Sequence, residues 1–407
     1  MLKGLFLQYD QKIDRQTRII MYLVLFLLVS AIPYIFCRIF PSPPASLLSM
    51  AFFMLFVFVC MLQRRLSSDV NGLFAIVSFQ CCIWVLFAIC HGDSSYITRI
   101  MYLITSFVAI SCLCNREKGL ILFLKFYNNF ILVMAICGAI AFVLSIVGLL
   151  SPIFEYENVD GRTGYCLGLT CTNAIFGNII RYSGFFDEPG AMAFWGVFAL
   201  IFNRLFFKNT KYEVALIVCL LFTFSMAFYI QLVFYILFFY VNLKKVKNVF
   251  LISLLLAIIG GGIYLTKDTE FDLYKYTFGR FEVDSSTGKF VGDNRSDLME
   301  LAKVEFLKAP WLGVGAQNIE KRELYIADNP YETLANDGII GTFNIYLPLL
   351  VIMLYGLRRN KNIFYGALIL AMGYLQRPFH VNIIHPMMLY MLFVMTMNNK
   401  KYNNRQI

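Results

Sequence analysis

The sequence predicts an all-α polytopic membrane protein with about twelve transmembrane helices. Hydrophobic residues make up 59% of the chain and charged residues 15%, with 41 Phe and 24 Tyr among 407 residues. A mean hydropathy of +0.68 leaves too little polar surface to cover a soluble globule of this size. Apolar runs close to the length of about 20 residues that crosses a bilayer recur along the whole chain. We therefore expect these runs to be membrane-spanning helices.

The predicted spans follow one another along the chain, and most are separated by short polar connections. The stretch 213–242 is interrupted only around Thr223 to Ser225, so a short pair of helices, a re-entrant hairpin or one long helix would each fit it. The spans divide the chain into helices 1 to 9 (residues 1–265), a large loop (266–337), and helices 10 to 12 with a tail (338–407). The twelve spans are 19–36, 46–62, 72–90, 97–114, 130–150, 189–206, 213–224, 226–242, 248–265, 338–356, 362–376 and 386–398.

The distribution of charge predicts the orientation of these spans. With the amino terminus inside, the cytoplasmic segments carry 20 Lys or Arg and 5 Asp or Glu, whereas the outward segments carry 14 basic and 20 acidic residues. Lys and Arg collect on the cytoplasmic side of short loops. Both termini are therefore expected in the cytoplasm. This topology accounts for the net charge of +10, so nucleic acid is not an expected partner.

Targeting and cysteine usage add two expectations. The first apolar run continues through a full span without a small-residue cleavage site, so no cleavable signal peptide is expected. The eleven cysteines include no pair of Cys-x-x-Cys units of the metal-binding type. Cys166 and Cys171 lie in an outward loop, where an oxidising periplasm would permit a disulfide. Two free thiols are the equal alternative.

Two outward segments are much longer than the other connections, and loops of this length are usually functional. The first, at 151–188, ends within the charged sequence Arg181-Tyr-Ser-Gly-Phe-Phe-Asp-Glu-Pro-Gly190, whose last two residues begin the sixth span. The second, 267–337, holds 23 charged residues. Because both lie on the same side of the membrane, we expect them to converge over one mouth of the helical bundle.

The second loop contains a predicted helix. Asn294 offers an N-cap with Asp297 at the N3 position, apolar residues follow at helical spacing, and Pro310 ends the pattern. Arg295 falls in the first turn of this helix, where unpaired N–H groups and the helix dipole already favour an anion. A guanidinium at this place predicts a phosphate-binding site, since Arg binds phosphate in a bidentate way.

Four short motifs carry a resemblance to a known family. The chain resembles bacterial O-antigen polymerases (Wzy) and related exopolysaccharide polymerases, within the O-antigen polymerase and ligase superfamily of membrane glycosyltransferases. The motifs are Arg181-x-x-Gly184-x-x-x-Glu188-Pro189-Gly190, the segment Arg295 to Gly315 with Pro310-Trp-Leu-Gly313-Val-Gly315, the segment Asn329 to Gly341, and Leu375-Gln-Arg377-Pro378. The resemblance implies a fold of the GT-C type.

The resemblance also implies an activity. We expect polymerisation of undecaprenyl-pyrophosphate-linked oligosaccharide repeat units at the periplasmic face of the bacterial inner membrane. Glu188 or Asp187 would be the catalytic base, and Arg181, Arg295, Arg280 and Arg377 would bind pyrophosphate. The expected partners are the lipid-linked glycans, the bilayer and a chain-length regulator protein. No metal and no cofactor are expected, because the arginines can take the charge that a divalent ion neutralises in other transferases.

Two other activities are alternatives. Ligases of this superfamily usually place a His before the re-entry into the membrane, whereas residues 327–329 of this chain are Ala, Asp and Asn; this favours a polymerase. A lipid-linked oligosaccharide flippase would also have about twelve helices. However, transporters tend to show internal repeats and charges within the spans, and the predicted spans show neither away from their ends.

Each candidate residue also has a structural interpretation. Arg181 would pair with Asp187 or Glu188 and fix the loop, and such exposed pairs contribute only about 0 to 1 kcal/mol. Arg377 would extend to the membrane interface, and Asp337 would cap a helix. The histidines His380 and His385 are expected at the interface rather than as bases.

Overall fold

The computed structural model describes most of the chain and shows mainly helix. The described residues are 4–9, 13–30, 45–63, 67–157, 162–176, 179–186, 188–241, 296–324, 326, 329–376 and 382–399, with short pieces of 260–291. The helices are α1 (Arg15–Ser30), α2 (Ala45–Gln63), α3 (Asn71–His91), α4 (Ser95–Cys114), α5 (Gly119–Ile146), α6 (Pro189–Phe202), α7 (Thr210–Leu221), α8 (Met226–Phe239), α9 (Leu273–Tyr276), α10 (Ser296–Lys308), α11 (Ala316–Glu320), α12 (Glu332–Arg359), α13 (Lys361–Gln376) and α14 (Ile384–Met397).

The longest apolar helices agree with a helical membrane protein. Within the described residues, five stretches are long and apolar enough to cross a membrane: Ser68–His91, Ser95–Cys114, Gly119–Ile146, Pro189–Phe207 and Glu332–Arg359. Shorter apolar helices lie at Met50–Gln63, Met226–Phe239 and Ile384–Met397. The total number of crossings and the side of each terminus stay predictions. The predicted span 248–265 lies largely outside the described residues.

Helix α6 is enclosed by other helices. All of its residues from Pro189 to Phe202 are buried, which is the pattern of a helix that is apolar on every side. It packs against α5, α7, α8 and α13. Pro189 occupies the first turn, as the sequence predicts, where a missing N–H costs nothing. Glu188, the residue before Pro189, therefore stands at the start of a fully buried helix.

Helices α7 and α8 form a short hairpin rather than one long helix. The chain turns between Leu221 and Met226, where Phe224 has a φ of +48°. Asn209 and Ser225 cap the two helices by accepting hydrogen bonds from backbone N–H groups of their first turns. At 1.5 Å per residue the helices are about 18 and 21 Å long, which is less than the ~30 Å of a bilayer core. The alternative of a single long helix is thus wrong.

A buried carboxylate anchors this hairpin at the end opposite its turn. Tyr235 and Tyr240 donate hydrogen bonds to Glu213 Oε1 at 2.5 and 2.6 Å, and Arg204 Nη1 lies 3.8 Å from Glu213 Oε2. Arg204 follows α6 in a π-helical turn, Asn203–Phe207. Because a buried charge is tolerated only with partners, this group fixes the hairpin to the end of α6.

The first long loop contains strands, which the sequence does not predict. Strands β1 (Phe154–Glu157), β2 (Thr163–Cys166) and β3 (Cys171–Thr172) form an antiparallel sheet in that order, and β4 (Ile175–Phe176) pairs with β5 (Ile179–Ile180). The prediction of an all-α protein therefore describes the bundle but not this loop. Strands of two to four residues are too short for the alternation of apolar and polar residues to be recognised.

The second long loop contains the predicted helix and a break that was not predicted. Helix α10 ends at Lys308, two residues before Pro310. Helix α12 begins at Glu332, six residues before the predicted span at 338, and it is interrupted at Gly338, which has a φ of 61° and a ψ of −170°. This break brings the loop and the bundle together, as described below.

Tyr182 attaches the segment Arg181–Gly184 to the bundle. Its hydroxyl donates a hydrogen bond to the carbonyl oxygen of Cys219 on α7 at 2.8 Å. Its ring lies against Gly138 of α5, where a Cβ atom would overlap the ring atoms. Because Gly138 has no side chain, it leaves a notch in the surface of α5, and the Tyr182 ring inserts there between α5 and α7.

We predict that Gly138→Ala destabilises the protein by about 1–3 kcal/mol, the usual cost of overpacking. The control is Gly72→Ala in α3, where the nearest atom, Phe393 Cε1, would lie 3.7 Å from the new Cβ. The control should match the unchanged protein. The measurement is denaturant unfolding of the purified protein in detergent. Equal stability of the two variants would contradict the proposed notch.

Candidate functional site at the loop end of the bundle

Two groups of charged and polar residues lie where the long loops meet the helices, here called the loop end of the bundle. The first group surrounds Glu188 and Arg181, and the second surrounds Asp337. Of the six residues predicted for the site, Arg181 and Glu188 are described by the structure. Asp187, Arg280, Arg295 and Arg377 lie outside the described residues.

Glu188 stands directly before α6 and is largely enclosed. Its backbone is extended at the N-cap position, and only 8% of the residue is exposed. Arg162 Nη2 lies 3.6 Å from Glu188 Oε2, and the Arg162 side chain is 56% exposed. The positive end of the helix dipole also favours a carboxylate at this place. Glu188 is thus a protected carboxylate whose cationic partner reaches solvent.

Arg181 holds the α7–α8 turn. Its Nε donates a hydrogen bond to the carbonyl oxygen of Thr223 at 3.1 Å, and its Nη2 donates to that of Phe224 at 3.0 Å. These carbonyls belong to a turn between two helices, where backbone acceptors lack intrahelical partners. Two of the five N–H donors of the guanidinium therefore stabilise the fold. This contact gives Arg181 a structural role, as the alternative interpretation of the sequence expected. That interpretation named Asp187 or Glu188 as the partner, whereas the acceptors in this contact are carbonyl oxygens of the turn.

The Pro310–Gly315 turn is inserted into the broken part of α12. At the break, the N–H groups of Ile339 and Ile340 donate to the carbonyl oxygens of Pro310 and Trp311 at 2.9 and 3.1 Å. In an uninterrupted helix these two N–H groups would bond to the carbonyl oxygens of residues 335 and 336. Those two carbonyls instead accept hydrogen bonds from Val314 and Gly315 at 2.8 and 2.9 Å. The turn thus supplies hydrogen-bond partners for the two N–H groups and the two carbonyl groups that the break leaves without helical partners.

Glycine is required on both sides of this junction. Gly313 has a φ of +70° and Gly338 a φ of +61°, in the region that favours glycine. A Cβ atom at Gly313 would overlap the backbone of Asn336, and one at Gly338 would overlap the backbone of Trp311. Two of the motifs behind the resemblance, which are separate in sequence, therefore form one backbone junction.

Asp337, beside this junction, forms a buried ion pair with α4. Arg99 Nη1 lies 2.7 Å from Asp337 Oδ2, and their side chains are 9% and 0% exposed. Tyr96 donates a hydrogen bond to Asp337 Oδ1 at 3.1 Å. The Arg99 guanidinium carbon also lies 4.9 and 5.0 Å from the ring centres of Trp84 and Tyr96. Asp337 directly precedes Gly338, where the first helical segment of α12 ends and the second begins, so it stands near a helix start as predicted, and its carboxylate pairs with Arg99 and Tyr96 of α4.

A small cavity adjoins this ion pair inside the bundle. Its volume is about 20 Å³, which is enough for one water molecule. Polar side chains that line it include Gln80, Arg99 and His385. His385 is 4% exposed and its ring centre lies 4.9 Å from that of Tyr374. His385 is therefore enclosed by the bundle, its depth in the membrane stays a prediction, and His380 lies outside the described residues.

Arg99 and Arg162 are the site residues that the sequence did not single out. Arg99 lies inside the predicted span 97–114, and a charged residue within a span is a signal of a special environment. Arg162 lies in the first long loop, but its pairing with Glu188 depends on the fold of the intervening strands. Among the described residues, no group of three or more His, Cys, Asp or Glu side chains is arranged to hold a metal ion.

Comparison with known proteins gives no family for this chain, so its class is inferred from its own structure. No family model matches it, and no curated protein matches it significantly. The fold defines a mostly helical protein with apolar helices of membrane-crossing length. Glu188 is paired with the solvent-exposed Arg162, and Asp337 forms a separate, enclosed ion pair with Arg99.

We predict that breaking the Arg99–Asp337 pair strongly destabilises the bundle. Arg99→Met or Asp337→Leu should each cost about 3–5 kcal/mol, because each leaves one buried charge without its partner. The double variant should cost less than the sum of the two. As a control, Arg322→Met removes the 2.8 Å contact between a 39% exposed side chain and Glu305, and should cost about 0–1 kcal/mol. Denaturant unfolding in detergent measures all four; additive single and double effects would argue against the pair.

A second prediction concerns the junction. Gly313→Ala and Gly288→Ala change glycines of nearly equal φ, +70° and +67°, but nothing lies within 4 Å of a Cβ at Gly288. Both variants place alanine at a similar positive φ, so the difference between them reports mainly the overlap with Asn336. We expect Gly313→Ala to be less stable by at least about 1 kcal/mol. Faster protease cleavage within 296–324 should accompany this loss. Equal cleavage rates would show that the turn does not depend on the close approach.

Proposed function

We propose that this protein polymerises undecaprenyl-pyrophosphate-linked oligosaccharide repeat units into a surface polysaccharide. In this proposal it is a twelve-span glycosyltransferase of the bacterial inner membrane, with a GT-C type fold, cytoplasmic termini and a periplasmic loop end. The observation that carries the proposal is the backbone junction between the Pro310–Gly315 turn and the break at Gly338. It unites two motifs of the polymerase resemblance in one structure.

The chemistry of the proposal falls on Glu188. In glycosyl transfer from a lipid pyrophosphate, an acceptor hydroxyl attacks the anomeric carbon, loses its proton to a base, and the lipid pyrophosphate leaves. Glu188 takes this proton, because its carboxylate is held by α6 beside the solvent-exposed Arg162. Asp187 is the alternative base from the sequence.

Cations stabilise the pyrophosphate leaving group in this proposal. Arg162 stands at the loop end with more than half of its side chain exposed, so it is placed to meet a phosphate that approaches from solvent. Arg295, Arg280 and Arg377 keep the pyrophosphate-binding role that the sequence suggests. Arg181 contributes by holding the α7–α8 turn, in addition to the phosphate role that the sequence suggests.

A ligase is the second candidate, and one contact bears on it. Residues 327–329 lack the histidine expected of a ligase, but His91 reaches the same turn from α3. Its Nε2 lies 3.0 Å from the carbonyl oxygen of Leu312. An imidazole is thus present beside the junction, and the two candidates differ in the acceptor that they use.

Deletion of the gene in its host separates the candidate functions. Loss of a polymerase leaves a single repeat unit on the surface lipid, loss of a ligase leaves none, and loss of a flippase strands the units inside the cell. We expect the single-unit product, seen by electrophoresis of the surface lipid. Unchanged, full-length glycan after deletion would refute all three functions.

We further predict that Glu188→Gln, expressed in the deletion strain, lowers polymerisation by about 100-fold or more, as loss of a general base does. Glu305→Gln is the matched control, since Glu305 is also a buried carboxylate paired with partly exposed cations, Lys308 and Arg322. Both substitutions keep the shape and remove one charge. At equal membrane abundance, Glu305→Gln should restore long glycan and Glu188→Gln should leave single units. Long glycan with Glu188→Gln would exclude Glu188 as the base.

A further inference from the structure

Cys166 and Cys171 lie directly opposite each other in the small sheet of the first loop. They are cross-strand partners of β2 and β3 and are 5% and 0% exposed. Cross-strand Cα atoms in antiparallel sheets are about 4.5–5.5 Å apart, within the range of about 4.4–6.8 Å that a disulfide needs. Both are free thiols in this structure. Their register satisfies the geometric condition that the sequence spacing left open.

The strand that contains Cys171 is the platform for the Arg181–Gly184 segment. The Cys171 N–H donates to the carbonyl oxygen of Gly184 at 2.8 Å, and the Ser183 N–H donates to that of Cys171 at 2.8 Å. The Ser183 hydroxyl also donates to the Cys171 carbonyl oxygen at 2.7 Å. Any constraint on Cys171 is therefore transmitted to the backbone that carries Arg181 towards the α7–α8 turn.

We propose that Cys166 and Cys171 form a disulfide in the mature protein, and that this bond clamps the strand on which the Arg181–Gly184 segment is built. The inference rests on the periplasmic position of the loop end in the proposed function. It is independent of the reaction that the site carries out.

The oxidation is a thiol–disulfide exchange with a disulfide-bearing oxidoreductase on the same side of the membrane. One cysteine thiolate attacks the oxidant disulfide and releases one of its sulfurs as a thiol. The second cysteine then attacks the mixed disulfide, so that two protein thiols become one disulfide and the oxidant disulfide becomes two thiols. Burial raises the pKa of the Cys171 thiol to about 12. Because the thiolate is the reactive form and the two residues are only 5% and 0% exposed in the folded protein, the proposed exchange takes place before the sheet packs against the bundle.

A second pair of close thiols provides an internal control. Cys60 Sγ lies 3.3 Å from Cys112 Sγ, between α2 and α4. Cys112 is near the end of α4 that leads into the start of α5, whereas Cys166 follows the other end of α5. Helix α5 has 28 residues and is about 42 Å long. The two pairs therefore lie at opposite ends of the bundle and meet different compartments in the proposed orientation.

The test traps both pairs in intact host cells by acid quenching and alkylation with N-ethylmaleimide, followed by peptide mass spectrometry of the full-length protein. We expect the peptides of Cys166 and Cys171 to be disulfide-linked and two hydrogens lighter, and Cys60 and Cys112 to be alkylated. Alkylation of both Cys166 and Cys171 overturns the proposal. An oxidised Cys60–Cys112 pair beside reduced Cys166 and Cys171 overturns it as well and reverses the orientation.

Three variants test the clamp: Cys166→Ala, Cys171→Ala and the double variant. Each single substitution should speed protease cleavage of the 151–188 loop on the order of tenfold, and the double variant should match the singles, because one bond is lost in every case. Additive effects would overturn the clamp. The glycan phenotype of the deletion strain is read separately, so failure of the disulfide and failure of the proposed function are distinguishable.

Discussion

The ion pair between Arg99 and Asp337 is the interaction on which the loop end of the bundle depends. The Arg99 and Asp337 side chains are 9% and 0% exposed, so bulk water solvates neither charge, and a buried arginine of this kind is tolerated only with a partner. Asp337 provides the opposite charge, and Trp84 and Tyr96 provide aromatic faces. The pair fixes α4 against α12 one residue before the break at Gly338.

The opened helix imposes a second requirement, which the loop satisfies. A break in a helix leaves two N–H groups and two carbonyl groups without intrahelical partners, and buried backbone groups must be paired. The Pro310–Gly315 turn supplies all four partners. The loop is thus held to the bundle by these backbone hydrogen bonds, which require the two glycines, and by an apolar cluster that includes Ala302, Ile319 and Ala335.

The sequence predicted the features that leave a local pattern and missed those that depend on contacts between distant residues. Long apolar runs depend on local pattern, and the long helices of the described residues overlap the predicted spans, although α5 begins at Gly119, eleven residues before the predicted start at 130. The predicted N-cap of α10, Asn294, lies outside the described residues. The break at Gly338, the pairing of Arg162 with Glu188, and the strands β1 to β5 depend on contacts between distant residues or on segments too short to show a period. Arg99 was missed although it lies inside a predicted span, because it was treated as a charge near a helix end. The burial of His385 was not predicted, because it depends on Tyr374 and Tyr346, which come from other helices.

The two ion pairs at the loop end differ in the property that catalysis requires. Asp337 is fully buried and its partner is 9% exposed, so protonating or substituting it removes a charge that the fold needs. Glu188 is nearly as enclosed, but its partner Arg162 is 56% exposed and remains solvated when the carboxylate is neutralised. A base must gain and lose a proton in every cycle without unfolding its surroundings. On this physical criterion, Glu188 rather than Asp337 is the carboxylate suited to act as the base in the proposed reaction.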